Sequence, residues 1–239
     1  MSTVVFIRHG RSVANTAGTL AGWLPSVLLD ETGEGQAAAL GQRLAAAQLP
    51  VVEVVSSPLD RCLQTADLVA AALGDVGRSV HDDLGECRYG AWTGRPLGEL
   101  VKEELWQVVQ HRPSEASFPS SAAYPGESIA QMQLRALDAV RETDARLRAA
   151  HGDDAVWIAV SHGDVIKAVL ADAVGAPLDD FQRIHVDPAS LSVVRYTAAK
   201  PFVLRLNDTG GDLSGLRPPA HPAVPEGEAV VGGGTGVVG

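Results

Sequence analysis

The chain predicts an α/β fold, a three-layer α/β/α sandwich with a mostly parallel central sheet, and three observations carry that expectation. Thr3-Val4-Val5-Phe6-Ile7 is an apolar, β-branched run that passes without a break into Arg8-His9-Gly10. Such runs mark strands buried on both faces, as parallel sheets require. Ala155-Val156-Trp157-Ile158-Ala159-Val160 repeats the pattern far down the chain and ends in Ser161-His162-Gly163. Between and around these runs, helical and strand-like segments alternate, as they do where crossover helices join parallel strands. Parallel sheets place their chemistry beyond the carboxyl ends of the strands, so His9 and His162 are expected in one crevice.

The remaining elements follow from local signals. Residues 11–29 carry Gly18, Gly22, Trp23 and Pro25, match neither hydrophobic period, and read as a functional loop. Thr32-Gly33-Glu34 opens an alanine-rich helix with Ala37, Leu40, Leu44 and Ala47 on one face, and the helix stops before Pro50. Residues 51–55 form a second strand. Ser56-Ser57-Pro58 then offers a serine cap and a first-turn proline to a helix over 59–73. Gly74 and Gly77 break that helix, residues 79–82 read as a short edge strand, and 84–94 read as a glycine-punctuated loop turning against the core. Residues 97–110 are helical in pattern, while the Pro- and Ser-rich stretch 112–125 reads as a mobile cover over the site. A long helix over 127–149 carries Ile129, Met132, Ala136, Val140 and Leu147 at steps of three and four. A helix over 164–174 ends at Gly175, and strands at 191–196 and 202–206 close the domain. Residues 1–207 are thus one domain, and the Pro- and Gly-rich residues 208–239 are expected as a largely disordered tail.

With 239 residues, 46% of them hydrophobic, the chain can bury a sizeable core. Its net charge of -10 offers no basic surface to nucleic acid or to an anionic membrane. No apolar run reaches the length of a membrane-spanning helix, and the expectation is a soluble, cytoplasmic protein. Cys62 and Cys87 are too few for a disulfide scaffold and read as buried thiols. No cluster has metal-ligand spacing, and neither metal nor cofactor is called for. Oligomeric state is left open, a homodimer included.

The chemistry rests on five residues. A neutral imidazole at position 9 is a competent nucleophile toward phosphorus, once cations neutralise the phosphoryl oxygens. Arg8 supplies one such cation, and Arg61, a turn into the helix after the second strand, supplies another. Glu86, among Leu84, Cys87 and Tyr89, is the candidate proton donor and then base, since burial keeps a carboxyl protonated. His162 is the second ligand of the transferring group.

These residues and their surroundings resemble the histidine phosphatase superfamily, in its phosphoglycerate-mutase-like branch. The matching pieces are Arg8-His9-Gly10-Arg11-Ser12 with Asn15, the run from Ser56 to Ala66, Glu86 with Tyr89-Gly90-Ala91-Trp92-Thr93-Gly94, Pro125-Gly126-Glu127-Ser128, and Ser161-His162-Gly163. The resemblance implies His9 as the phosphorylated nucleophile, Glu86 as proton donor and acceptor, and Arg8, Arg61 and His162 as the phosphate pocket. Ser12 and Asn15 stand where the family contacts phosphate, and Tyr89 and Gly163 complete the expected substrate contacts. Compared with the cofactor-dependent mutases, the interval from Glu86 to Glu127 is short. Only His111-Arg112 stands near the place of their substrate-holding arginine pair, and Cys87 replaces an arginine. A phosphatase acting on a small phosphorylated metabolite is therefore the expectation, with a phosphoglycerate mutase as the first alternative and a non-catalytic phosphate-binding protein as the second. Arg88, Arg112 and Lys102 are candidate selectors of the leaving group.

Overall fold

The structure, a computed structural model, describes residues 1–211 and 231–232. Six strands, β1 (Ser2–Arg8), β2 (Val51–Ser56), β3 (Gly77–Val80), β4 (Val156–Ser161), β5 (Leu191–Tyr196) and β6 (Pro201–Asp208), form one sheet in the order β3-β2-β4-β1-β5-β6. The pairings β1–β4, β2–β4 and β2–β3 are parallel, whereas β5 runs antiparallel to both β1 and β6. The register sets Arg8 opposite Ser161, so His9 and His162 leave neighbouring strands side by side.

Both faces of the sheet are covered, which explains why β1 and β4 read as unbroken apolar runs. Val5, Ile7, Ile158 and Val160 pack against α2 (Glu31–Ala46) and α3 (Asp60–Leu73), through Leu40, Leu44, Cys62 and Val69. Val4, Phe6, Trp157 and Ala159 face the opposite way, toward α6 (Ile129–His151) and α7 (Gly163–Val174). Each alternate residue of a strand thus enters a different core, and the architecture is the expected three-layer sandwich.

Several boundaries differ from the sequence expectation for local reasons. The loop 11–29 contains a one-turn helix, α1 (Val13–Thr16), closed by a capping box between Ser12 and Asn15. Helix α2 begins earlier than Thr32, because the Asp30 carboxylate accepts from the Gly33 amide at 2.8 Å. The stretch 97–110 is two helices, α4 (Leu97–Leu100) and α5 (Glu104–His111), and β3 starts at Gly77 rather than at Ser79. No serine side chain caps α3, whose N-cap is Leu59.

The Pro- and Ser-rich segment is pinned to the body of the protein. Ser117 bridges Ser128, Gly126 bridges Tyr89, and Ala116 and Phe118 are buried. Near the chain's end, Val231 is buried in the larger core, and the Gly232 amide donates to Asp164 Oδ2 at 2.9 Å. The other residues of the expected tail, apart from the end of β6 and the turn after it, lie outside the described residues.

Candidate active site

The site forms where β1 and β4 end. His9 is held by its own backbone: Nδ1 lies 2.7 Å from the Gly10 carbonyl, which can only accept, so Nδ1 carries the proton. Nε2 is then the ring's lone pair, and it accepts from Arg61 Nε at 3.3 Å. Burial, followed by Arg61 and Arg8, pushes the His9 pKa well below the usual histidine value, so the ring is neutral. The turn that presents it has no space to spare. The Gly10 amide donates to Thr65 Oγ1 at 3.1 Å, and a Cβ at Gly10 would lie 2.4 Å from the Gly33 carbonyl oxygen.

His162 meets His9 edge to face, with ring centroids 5.2 Å apart. Its Nδ1 accepts from Arg61 Nη2 at 3.1 Å, and its Nε2 donates to Ser57 Oγ at 2.7 Å. This ring too is held neutral, by burial first and then by Arg61. Arg61 itself spans the pair, its Nη2 also donating to the Gly22 carbonyl at 3.0 Å.

Arg8 is fully buried and donates from Nη1 to the Val186 carbonyl at 2.9 Å. Burial lowers its pKa to about 10, which leaves it a cation at neutral pH. Arg8 Nε, Arg8 Nη2 and Arg61 Nη1 are buried donors with no partner among the described residues. Buried guanidinium N–H groups are satisfied almost everywhere in proteins, so three of them beside a neutral imidazole describe a site for an anion rich in oxygen acceptors.

Glu86 closes the arrangement. Its Oε1 accepts from the Cys87 amide at 2.9 Å, and its Oε2 stands 3.9 Å from His162 Nδ1. Burial first, and then the Asp164 charge, raise its carboxyl to about 7, against the opposing pull of Arg61 and Arg8. It can therefore hold a proton at neutral pH and release it on demand.

The family model for the histidine phosphatase superfamily, branch 1, matches residues 4–209. The chain belongs to that superfamily. Histidine phosphatase superfamily relatives carry both phosphatase and mutase names. Phosphoserine phosphatase 1 of Hydrogenobacter thermophilus is 29% identical over 211 residues, covering 87% of this chain and 93% of its own. A probable phosphoglycerate mutase GpmB of Erwinia tasmaniensis is also 29% identical, over 223 residues, covering 90% and 95%. Among solved structures, YhfR of Bacillus stearothermophilus superposes with a TM-score of 0.74 at 25% identity, over 87% of this chain and 98% of its own.

The structure brings Arg8, His9, Arg61, Glu86 and His162 together. Around this histidine phosphatase site the other expected contacts are placed differently. Ser12 Oγ and Asn15 Oδ1 are engaged with each other in the α1 cap, at 2.9 Å. Tyr89 is buried, and its hydroxyl donates to Asp164 Oδ2 at 2.8 Å. Gly163 is the first residue of α7. Arg88 stacks over Trp23, 5.0 Å from the ring centroid, while Arg112 is an exposed partner of Glu115 and Lys102 is exposed. Among the described residues no group of three or more His, Cys, Asp or Glu side chains is disposed to hold a metal ion, and no helix is long and apolar enough to cross a membrane.

Three supporting residues escaped the sequence reading. Ser57 orients His162. Arg135, on α6, donates to the Asp83, Gly85 and Glu86 carbonyls at 2.7–2.9 Å and so clamps the loop that carries Glu86. Trp23 Nε1 donates to the same Glu86 carbonyl at 2.6 Å. Trp23 was named within the loop read as functional but given no role, the place of Ser57 at a strand end beside Pro58 pointed to a helix cap, and Arg135 had no signal.

Proposed function

We propose that the protein is a phosphomonoesterase working through a phosphohistidine at position 9, without metal or cofactor, on a small phosphorylated metabolite of the cytoplasm. The observation that carries this reading is the set of three buried guanidinium nitrogens without a partner among the described residues, on the two arginines whose charges bear on the neutral His9 ring. In the first step His9 Nε2 bonds to phosphorus while the ester P–O bond breaks, and Glu86 Oε2 passes its proton to the leaving alkoxide. In the second, the Glu86 carboxylate takes a proton from water, the resulting hydroxide bonds to phosphorus, and the P–N bond breaks to regenerate His9. The unpartnered guanidinium N–H groups of Arg8 and Arg61 meet the oxygens on which charge develops, where each preorganised donor is worth about 10²–10³ in rate, and the neutral His162 ring holds Arg61 in place through Nδ1. Both cysteines are free thiols, as suits a reducing compartment.

Hydrolysis is favoured over phosphoryl return by the segment between Glu86 and Glu127. Trp92, Trp106 and Phe118 anchor it to the core, and Arg112 turns outward to Glu115 at 2.9 Å. Arg112, the arginine nearest the place of the mutases' substrate-holding pair, is thus engaged with Glu115. Brief exposure to a ³²P-labelled phosphomonoester followed by alkaline denaturation should leave an acid-labile label on the protein, absent from His9→Ala. A label that persists in that variant rejects the assignment. With 3-phosphoglycerate and 2,3-bisphosphoglycerate, phosphate release should exceed formation of 2-phosphoglycerate; the reverse makes the protein a mutase.

A further inference from the structure

The arginines that bind phosphate pose a problem for the acid beside them. Arg8 and Arg61 both favour the ionised form of Glu86, yet a leaving alkoxide needs the protonated form. Asp164 stands opposite them. It lies in the first turn of α7, two residues after His162, and is 1% exposed. Its Oδ2 accepts from the Tyr89 hydroxyl at 2.8 Å and from the Gly232 amide at 2.9 Å, and its Oδ1 from Lys167 Nζ at 3.3 Å. An acidic residue in a first helical turn is ordinary, because the helix dipole favours it there. Complete burial with three donors converging on it is not ordinary, since an isolated carboxylate is costly to bury. Tyr89, three residues after Glu86, ties the Glu86 loop directly to this carboxylate.

We propose that Asp164 is a positioning residue for Glu86: buried in the first turn of α7, two residues after His162 and tied through the Tyr89 hydroxyl to the loop that carries Glu86, it opposes the phosphate-binding arginines and favours the acid form of Glu86. The inference rests on the reading of Glu86 as proton donor. Among the described residues the groups facing Glu86 are Arg8 from β1, Arg61 from α3, Arg135 from α6, which is itself paired with Glu127, His162 and Asp164 at the start of α7, and Cys87 and Tyr89 in its own loop, while Lys167 on α7 pairs with Asp164 from behind. Asp164 is the carboxylate among them. After burial it is the largest influence holding the Glu86 carboxyl up, while Arg61, the Cys87 amide and Arg8 pull it down. Without Asp164, burial alone would stand against the pull of Arg61 and Arg8 on Glu86, and the acid would ionise at lower pH.

The test is the pH profile of kcat/KM for Asp164→Asn, which keeps the shape and removes the charge. β-Glycerophosphate, with a poor leaving group, needs the proton; p-nitrophenyl phosphate does not. With β-glycerophosphate the alkaline limb of Asp164→Asn should move down by about one pH unit, a tenfold loss at pH 8 that p-nitrophenyl phosphate does not show. Asp164→Glu should return the limb toward its parental position. Asp164→Ser, a second neutral replacement, should move the limb as Asp164→Asn does if the latter fails to fold. An unshifted limb in a folded neutral variant overturns the proposal, as does an equal loss for both substrates at every pH, which would mark a structural role. If the parent shows no alkaline limb that Glu86→Gln abolishes, the reading of Glu86 itself fails. If it shows one and the neutral variants leave it in place, only the role of Asp164 fails.

Discussion

Holding a carboxyl protonated at neutral pH is unfavourable for the fold, and Glu86→Gln measures by how much. In the unfolded chain Glu86 releases its proton near 4.5, whereas in the folded protein it does so near 7. Folded protein therefore holds one proton more than unfolded protein between those values, and stability falls as pH rises through the interval. Below about 4.5 nothing is lost, and above about 7 the loss is constant. The interval corresponds to on the order of 3 kcal/mol. Gln keeps the side-chain oxygen that accepts from the Cys87 amide and cannot ionise, so the variant escapes the loss. For a chain of this size 1 kcal/mol moves the melting temperature by about 2–4 °C, so Glu86→Gln should melt roughly 6–12 °C above the parent at pH 8.5. The advantage should shrink toward zero at pH 4. The difference between the two melting curves reports Glu86 together with the neighbours its charge acts on. A difference that is the same at both pH values, or absent at pH 8.5, refutes the reasoning.

Three further outcomes are expected. Arg61→Ala should lower kcat/KM by about 10²–10³, and Arg61→Lys should recover less than a tenth of the loss, because a point charge cannot span His9 and His162 as the guanidinium does; full recovery with Lys in steady-state assays would contradict this. Ser57→Ala removes the oxygen partner of His162 Nε2 at 2.7 Å and should cost about 1 kcal/mol of transition-state stabilisation, a loss of roughly fivefold in kcat/KM; unchanged kinetics would show that Arg61 and the Cys62 thiol, 3.4 Å from Nε2, suffice to orient the ring. Gly33→Ala places a Cβ 1.9 Å from the Arg11 carbonyl oxygen and should destabilise the fold by about 1–3 kcal/mol or more in chemical denaturation, with lowered activity because the same turn carries His9; wild-type stability would mean that α2 and the turn are free to move apart.

What the sequence made visible follows from what side chains can signal. β1 and β4 were legible because strands covered on both faces carry no polar alternation, and the histidines at their ends came with them. Arg61 was legible from its turn of helix after β2, and Glu86 from the bulky residues around it. The pinning of residues 112–125 was not, because it runs through backbone bridges such as Ser117 to Ser128, which leave no mark on residue type. The split between α4 and α5 was hidden by an apolar period that continues across it. Val231 was hidden for the opposite reason: one buried valine among glycines does not change the composition of a polar stretch. Asp164 carries the start of α7 and the partner of Tyr89 in one side chain, and local spacing reveals the first role alone.

The pairing of β1 with β4 also bears on how the protein comes to be active. The first ten residues leave the ribosome long before the strand that must lie beside them, and Arg61 must reach across 101 positions to His162. Contacts so distant in sequence form late and slowly, since loop closure must precede them. No fragment lacking either end of this pairing can hold both imidazoles, so recovery of turnover after dilution from denaturant should trail the recovery of helical signal.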